Sequence, residues 1–167
     1  MTHDARIQDL LTRLQETTDR FTMRLENAGA RAEQAPAGWT PAQIAVHVAM
    51  VNDNLAGVID GSVPGAAPPP DGFEERVWSD VVRQVPPRND APPRYHPPAV
   101  VTAGDALTHF RESTARLSRA LGGLSPERAR LCITNRAVGT ITLYQAGDFA
   151  IAHMIRHNQQ AKRLLES

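Results

Sequence analysis

Ten of the 13 prolines in this 167-residue chain fall between Pro64 and Pro98. Proline lacks a backbone donor and disfavours helix at the residue before it. This stretch therefore interrupts any helical run, while the sequence on both sides keeps a helical period. The chain is constrained to two pairs of long helices joined by a crossover over residues 60–101. A fully structureless connection of that length is unusual in a compact domain unless it is functional or mobile. A short helix over 71–85, "DGFEERVWSDVVRQV", is expected within it, capped by Asp71 with Glu74 in the capping-box position.

The four long segments are individually legible. Residues 4–28 place Ile7, Leu11, Leu14, Thr18, Phe21 and Leu25 on one helical face. "GWTPAQIAVHVAMVNDNLAGVI" opens the second helix with stacked start signals. Thr40 is the N-cap, Pro41 takes the first helical position, Gln43 closes a capping box, and Trp39 with Ile44 forms a hydrophobic staple. That helix runs to about Ile59. The third spans residues 101–123, capped by Thr102, with Leu107, Phe110, Thr114, Leu117 and Leu121 inward and Gly122 and Gly123 at its end. Residues 124–130 read as a helical turn, and 131–143 as a short hairpin or an extended connector. The fourth helix starts near Thr142, with Gln145 in the box position, and continues to about Leu165. These elements predict an all-α four-helix bundle in a single domain, 1–167.

Bulk properties narrow the function. The 18 basic and 18 acidic residues cancel, so general attraction to nucleic acid or an anionic membrane is not expected. Cys132 is the single cysteine; no intrachain disulfide can form, and a cytoplasmic location is expected. The polar N-terminus has no apolar signal core, and no apolar run approaches the length of a membrane span.

Near the end, "FAIAHMIRHNQQ" sets His153 and His157 four apart, one above the other on a helix. Ala146, Phe149, Ala150 and Gln160 share their face, which turns it inward. On the second helix His47 shares the face of Ile44, Val51 and Val58. Three inward histidines are costly to bury without partners. One shared divalent ion satisfies them, and zinc, nickel, cobalt, copper and iron all accept imidazole nitrogen. The protease pattern His-Glu-x-x-His requires a glutamate where this chain has Met154, which disfavours proteolysis.

Two motifs carry a family resemblance. "WTPAQIAVHVA", with Trp39 and His47, resembles the Trp-x-x-x-[DEQ]-[IV]-x-x-His segment of the DinB/YfiT-like superfamily of metalloenzymes. "GTITLYQAGDFAIAHMIRHNQQ", with His153, His157 and Gln160, resembles its second motif. The order of long helices matches across essentially the whole chain. The resemblance implies an up-down-down-up bundle with one metal site, in which His47, His153 and His157 are the ligands and zinc or nickel the expected ion. Relatives include thiol S-transferases that use bacillithiol or mycothiol, and a mycothiol-dependent maleylpyruvate isomerase. The isomerase-like branch tends to carry glutamate at the first position of the pair, so histidine at 153 is closer to the transferase-like pattern.

The expected activity is therefore transfer of a low-molecular-weight thiol to an electrophilic small molecule. A metal-dependent hydrolase and a non-catalytic metal-binding bundle are the alternatives. A homodimer is expected. Gln160, one turn beyond His157, and Asn54, two turns beyond His47, are pocket candidates. Asp148, His109 and His96 read as solvent-facing, His3 as lying near a frayed terminus, and Cys132 as a small buried apolar residue.

Overall fold

The computed structural model describes residues 1–86 and 90–167; the expected crossover at 87–89 lies outside the described residues. Its long helices are α1 (His3–Ala28), α2 (Pro41–Asp60), α4 (Ala103–Gly122) and α6 (Leu143–Leu165). Short pieces fill the connections: α3 (Trp78–Arg83), α5 (Pro126–Ala129), and an antiparallel hairpin of β1 (Cys132–Asn135) and β2 (Gly139–Thr142). The hairpin settles the two readings left open for 131–143.

Each of the two helices that carry the inward histidines, α2 and α6, begins with a complete capping box. Thr40 Oγ1 accepts from the Gln43 N–H while Gln43 Oε1 accepts from the Thr40 N–H. Thr142 and Gln145 repeat the arrangement on α6. These bonds satisfy N-terminal donors that the helix itself cannot.

Cross-helix contacts give the topology. Arg13 reaches Asp148, Arg24 reaches Asn158, and Arg31 reaches the Leu165 carbonyl, so α1 and α6 run in the same direction. Glu33, just past α1, accepts from the first amide of α4, and Glu26 pairs with Arg111; α4 is antiparallel to α1. His109 and Arg116 of α4 meet Asp53 and Ser62 in ascending order, so α2 is parallel to α4. The order is up-down-down-up. Both α1 and α2 pack against α4 and α6, which places α1 and α2 across the diagonal.

The core is aliphatic, with Phe21 and Phe110 meeting edge to face at 4.9 Å at its centre. Burying a side chain of this size contributes roughly 1.5–3 kcal/mol. At Gly147 the helices approach closely: a Cβ there would lie 3.0 Å from Leu121 and 3.3 Å from Leu10.

Two expectations for the helix faces need correction. On α1 the buried stripe is Ile7, Leu10, Leu14, Thr17, Phe21 and Leu25. Leu10 and Thr17 replace the expected Leu11 and Thr18, because α1 faces the corner between α4 and α6. On α4, Ala106, Ser113 and Ala120 are buried and Leu107 only partly so. Small side chains there permit close helix approach.

The short crossover helix is also shorter than expected. Asp71 does not cap it, because Gly72 takes a left-handed turn at φ 73°. The following residues are drawn out along the start of α6: Glu75 accepts from the Thr142 hydroxyl and the Arg76 carbonyl accepts from Gln145 Nε2, both at 2.6 Å. Helix forms only from Trp78, where Val81 packs with Val138 and Ile141. Among the described residues, no helix is long and apolar enough to cross a membrane.

Candidate metal centre

The three histidines singled out by sequence come together between α2 and α6. His47 is buried, while His153 and His157 keep partial exposure. One ring nitrogen from each lies within 4.8 Å of the others. The rings of His153 and His157 meet edge to face at 4.4 Å, and His47 meets them at 5.1 Å and 4.8 Å. No carboxylate or thiol belongs to the group among the described residues.

The outer nitrogens show how the rings are aimed. His47 Nδ1 donates to the Tyr95 carbonyl at 2.8 Å, which leaves the Nε2 lone pair facing the centre. His157 Nδ1 donates to Gln160 Oε1 at 2.8 Å, with the same consequence. Carbonyl partners of this kind fix the tautomer and orientation of metal-ligating histidines. His153 Nδ1 is buried and has no hydrogen-bond partner among the described residues, and its Nε2 sits 3.2 Å from His47 Nε2. Zinc–imidazole bonds of about 2.0–2.1 Å at tetrahedral angles separate two nitrogens by about 3.3 Å. The donor set and this spacing fit a divalent ion.

Burial shifts all three pKa values down. His47 is lowered by desolvation, partly offset by its bond to Tyr95. His153 is pushed well below the ordinary value by burial and then by its two histidine neighbours. His157 is lowered to about 4, by burial first and by His47 second. Near neutral pH all three rings are neutral, the form that binds metal.

Aromatic rings flank the group. Phe149 stacks on His153 at 5.7 Å, and Trp39 lies 5.2 Å from His47. Trp39 also meets His96 edge to face at 5.5 Å. His96 is exposed as expected, yet it packs on the indole.

The other sequence candidates separate. Gln160 is held by His157, and Asn54 is half-buried with no hydrogen bond among the described residues. His109 is partly exposed and paired with Asp53 at 3.0 Å. His3 opens α1 and bonds the Tyr144 hydroxyl rather than fraying. Cys132 is buried, as expected. Asp148 corrects its expectation: only 8% exposed, it is paired with Arg13 at 2.7 Å across the α1–α6 interface. The sequence reading missed the Tyr95 carbonyl, since a backbone acceptor leaves no residue-type signal.

A four-helix bundle that gathers three imidazoles from two helices defines a helical protein able to hold a metal ion in its core. The sequence profile of the DinB superfamily matches residues 10–161, and the chain belongs to that superfamily. No curated protein matches the chain.

Proposed function

We propose that the protein is a divalent-metal-dependent enzyme in which His47, His153 and His157 hold zinc or nickel. In this reading it transfers a low-molecular-weight thiol, of the bacillithiol or mycothiol type, to an electrophilic small molecule. The observation that supports it is the convergence of three imidazoles, two of them aimed inward by oxygen acceptors on their outer nitrogens. A bound divalent ion supplies Lewis acidity, which lowers the pKa of a thiol and raises its thiolate fraction.

The chain's own residues do the rest. Burial keeps the imidazoles neutral, and Tyr95 and Gln160 hold their tautomers. Phe149 and Trp39 are apolar walls that limit water around the nucleophile. Gln160 and Asn54 are assigned to the substrate pocket. Thiolate attack on the electrophilic carbon forms a carbon–sulfur bond as the bond from that carbon to its leaving group breaks and the electron pair departs with that group, so the step needs no general base. Hydrolysis ordinarily needs a base for its water, and the histidine group includes no carboxylate among the described residues. This favours transfer over hydrolysis. The zero formal charge favours a small-molecule partner over nucleic acid or a membrane surface. A cytoplasmic homodimer completes the proposal.

The test is metal analysis of untagged protein beside the His153→Ala variant, followed by turnover with panels of thiols and electrophiles. Stoichiometric metal that is lost in the variant, with turnover requiring both metal and thiol, is the expected result. Metal without turnover across the panels retires the transferase and leaves a metal-binding bundle. Absence of metal from protein offered zinc and nickel retires both.

A further inference from the structure

The two helices that carry the metal-centre histidines, α2 and α6, close their capping boxes with glutamine, although glutamate serves a capping box equally well. The amide nitrogen shows a second use. Gln43 Oε1 accepts from the Thr40 N–H at 2.9 Å, while Gln43 Nε2 donates to the carbonyls of Pro98 at 2.9 Å and Ala99 at 3.1 Å. Gln145 Oε1 takes the Thr142 N–H, and its Nε2 donates to the Arg76 carbonyl. Only one orientation of each amide satisfies its partners, and a carboxylate offers no donor. Each glutamine thus pins the crossover segment to the N-terminus of a helix that carries the histidine group.

Next to the Gln43 clamp lies the turn that supplies Tyr95. Its bonds run from Tyr95 N–H to the Pro92 carbonyl at 2.9 Å and from His96 N–H to the Pro93 carbonyl at 3.0 Å. Pro92, Pro93, Pro97 and Pro98 restrict its backbone further. The Tyr95 carbonyl from this turn accepts from His47 Nδ1, one helical turn beyond Gln43 on α2. His96 from the same turn packs on Trp39, which in turn packs on His47.

We propose that Gln43 is a positioning residue of the metal centre, acting through the crossover segment. By holding Pro98 and Ala99 it keeps the Tyr95 carbonyl on His47 Nδ1, and so keeps His47 Nε2 aimed at the ion. This rests on the metal-binding reading above. Linkage makes the effect reciprocal: an ion that fixes His47 also secures the 92–99 turn.

Gln43→Glu separates the two roles, since it keeps the capping-box acceptor and removes the donor to the crossover. Zinc affinity is measured by competition with a chelator, and hydrogen exchange at the Tyr95 and His96 amides is followed with and without zinc. Wild-type protein is expected to bind zinc and to slow exchange at those amides when it does. Gln43→Glu is expected to bind zinc about 10-fold more weakly, the low end for loss of a ligand-orienting partner, with faster exchange at both amides. The double variant Pro92→Gly/Pro93→Gly loosens the turn without touching α2, and the same two changes are expected of it. Gln145→Glu, which frees only the Arg76 clamp, is expected to leave exchange at Tyr95 and His96 unchanged. Wild-type affinity in both Gln43→Glu and the double variant overturns the proposal. So does weakened zinc binding with unaltered exchange. Wild-type protein that binds no zinc retires the metal reading itself, a distinguishable result that removes the proposal with it.

Discussion

His47 Nε2 and His153 Nε2 face one another at 3.2 Å across the α2–α6 interface. His47 carries its proton on Nδ1, where it donates to the Tyr95 carbonyl, so its Nε2 is an acceptor. His153 must either donate its single proton into this contact, leaving buried Nδ1 bare, or keep it on Nδ1 and oppose two lone pairs. Neither arrangement satisfies every buried polar atom. A divalent ion held by His47 and His153 would take both Nε2 lone pairs, so that the two nitrogens would no longer oppose one another.

The first prediction follows for ligand removal. His47→Ala, His153→Ala and His157→Ala should each lower zinc affinity by more than about 100-fold, since each deletes a donor rather than an orienting partner. His109→Ala, whose ring is paired with Asp53 away from the group, should leave affinity unchanged. Isothermal titration with zinc checks this; equal affinity in all four variants excludes the three-histidine centre.

Stability should depend on pH through the same rings. His157 has a folded pKa of about 4 against an ordinary value of 6.5, so the unfolded chain binds more protons between those values. The stabilisation is therefore complete above about 6.5 and is lost as pH falls towards 4. His157 alone contributes on the order of 3 kcal/mol at about 1.4 kcal/mol per pKa unit; His47 and His153 shift the same way. Metal-free protein should melt at progressively lower temperature across that window. In His157→Gln, urea denaturation should show a shallower dependence; an identical pH slope would contradict the assignment.

Thr40→Ala removes the one bond of the α2 capping box that depends on its hydroxyl, from the Gln43 N–H to Thr40 Oγ1, at a cost of about 1 kcal/mol. Thr40→Ser should recover most of it. Because His47 lies two turns into α2, fraying of the first turn should also weaken zinc binding. An unchanged denaturation midpoint for Thr40→Ala in metal-free and zinc-loaded protein would reject the cap.

Arg13→Ala should destabilise by about 1–3 kcal/mol, because it leaves the buried Asp148 carboxylate without its partner. Burial already raises the Asp148 pKa, with Arg13 only partly compensating. Arg13→Ala combined with Asp148→Asn should therefore recover stability relative to Arg13→Ala alone. Denaturant titration of the two proteins distinguishes this from a surface pair, for which both would lie near wild type.

The proposed chemistry requires that an added ligand reach the ion. Small thiols should produce sulfur-to-cobalt charge-transfer absorption in cobalt-substituted protein, strengthening as pH rises through the lowered pKa of the thiol. A tetrahedral cobalt spectrum indifferent to thiol would mark a coordinatively closed, structural ion.

What the sequence determined by itself was local. Thr40, Gln43, Thr142 and Gln145 define helix starts through contacts three residues apart, and the i,i+4 spacing of His153 and His157 stacks them whatever surrounds the helix. The inward placement of His47 followed from its apolar neighbours on the same helix face. The tertiary structure decided everything that depends on which surfaces meet. The corner between α4 and α6 turned the buried stripe of α1 onto Leu10 and Thr17. It also drew Asp148 out of water against Arg13. The start of α6 pulled residues 75 and 76 into hydrogen bonds that shortened the crossover helix. The Tyr95 carbonyl became the partner of His47 from 48 residues away. Backbone acceptors and amide donors are present at nearly every position, so residue identity cannot say which of them will meet. Only the docking of the crossover segment on the bundle selects them.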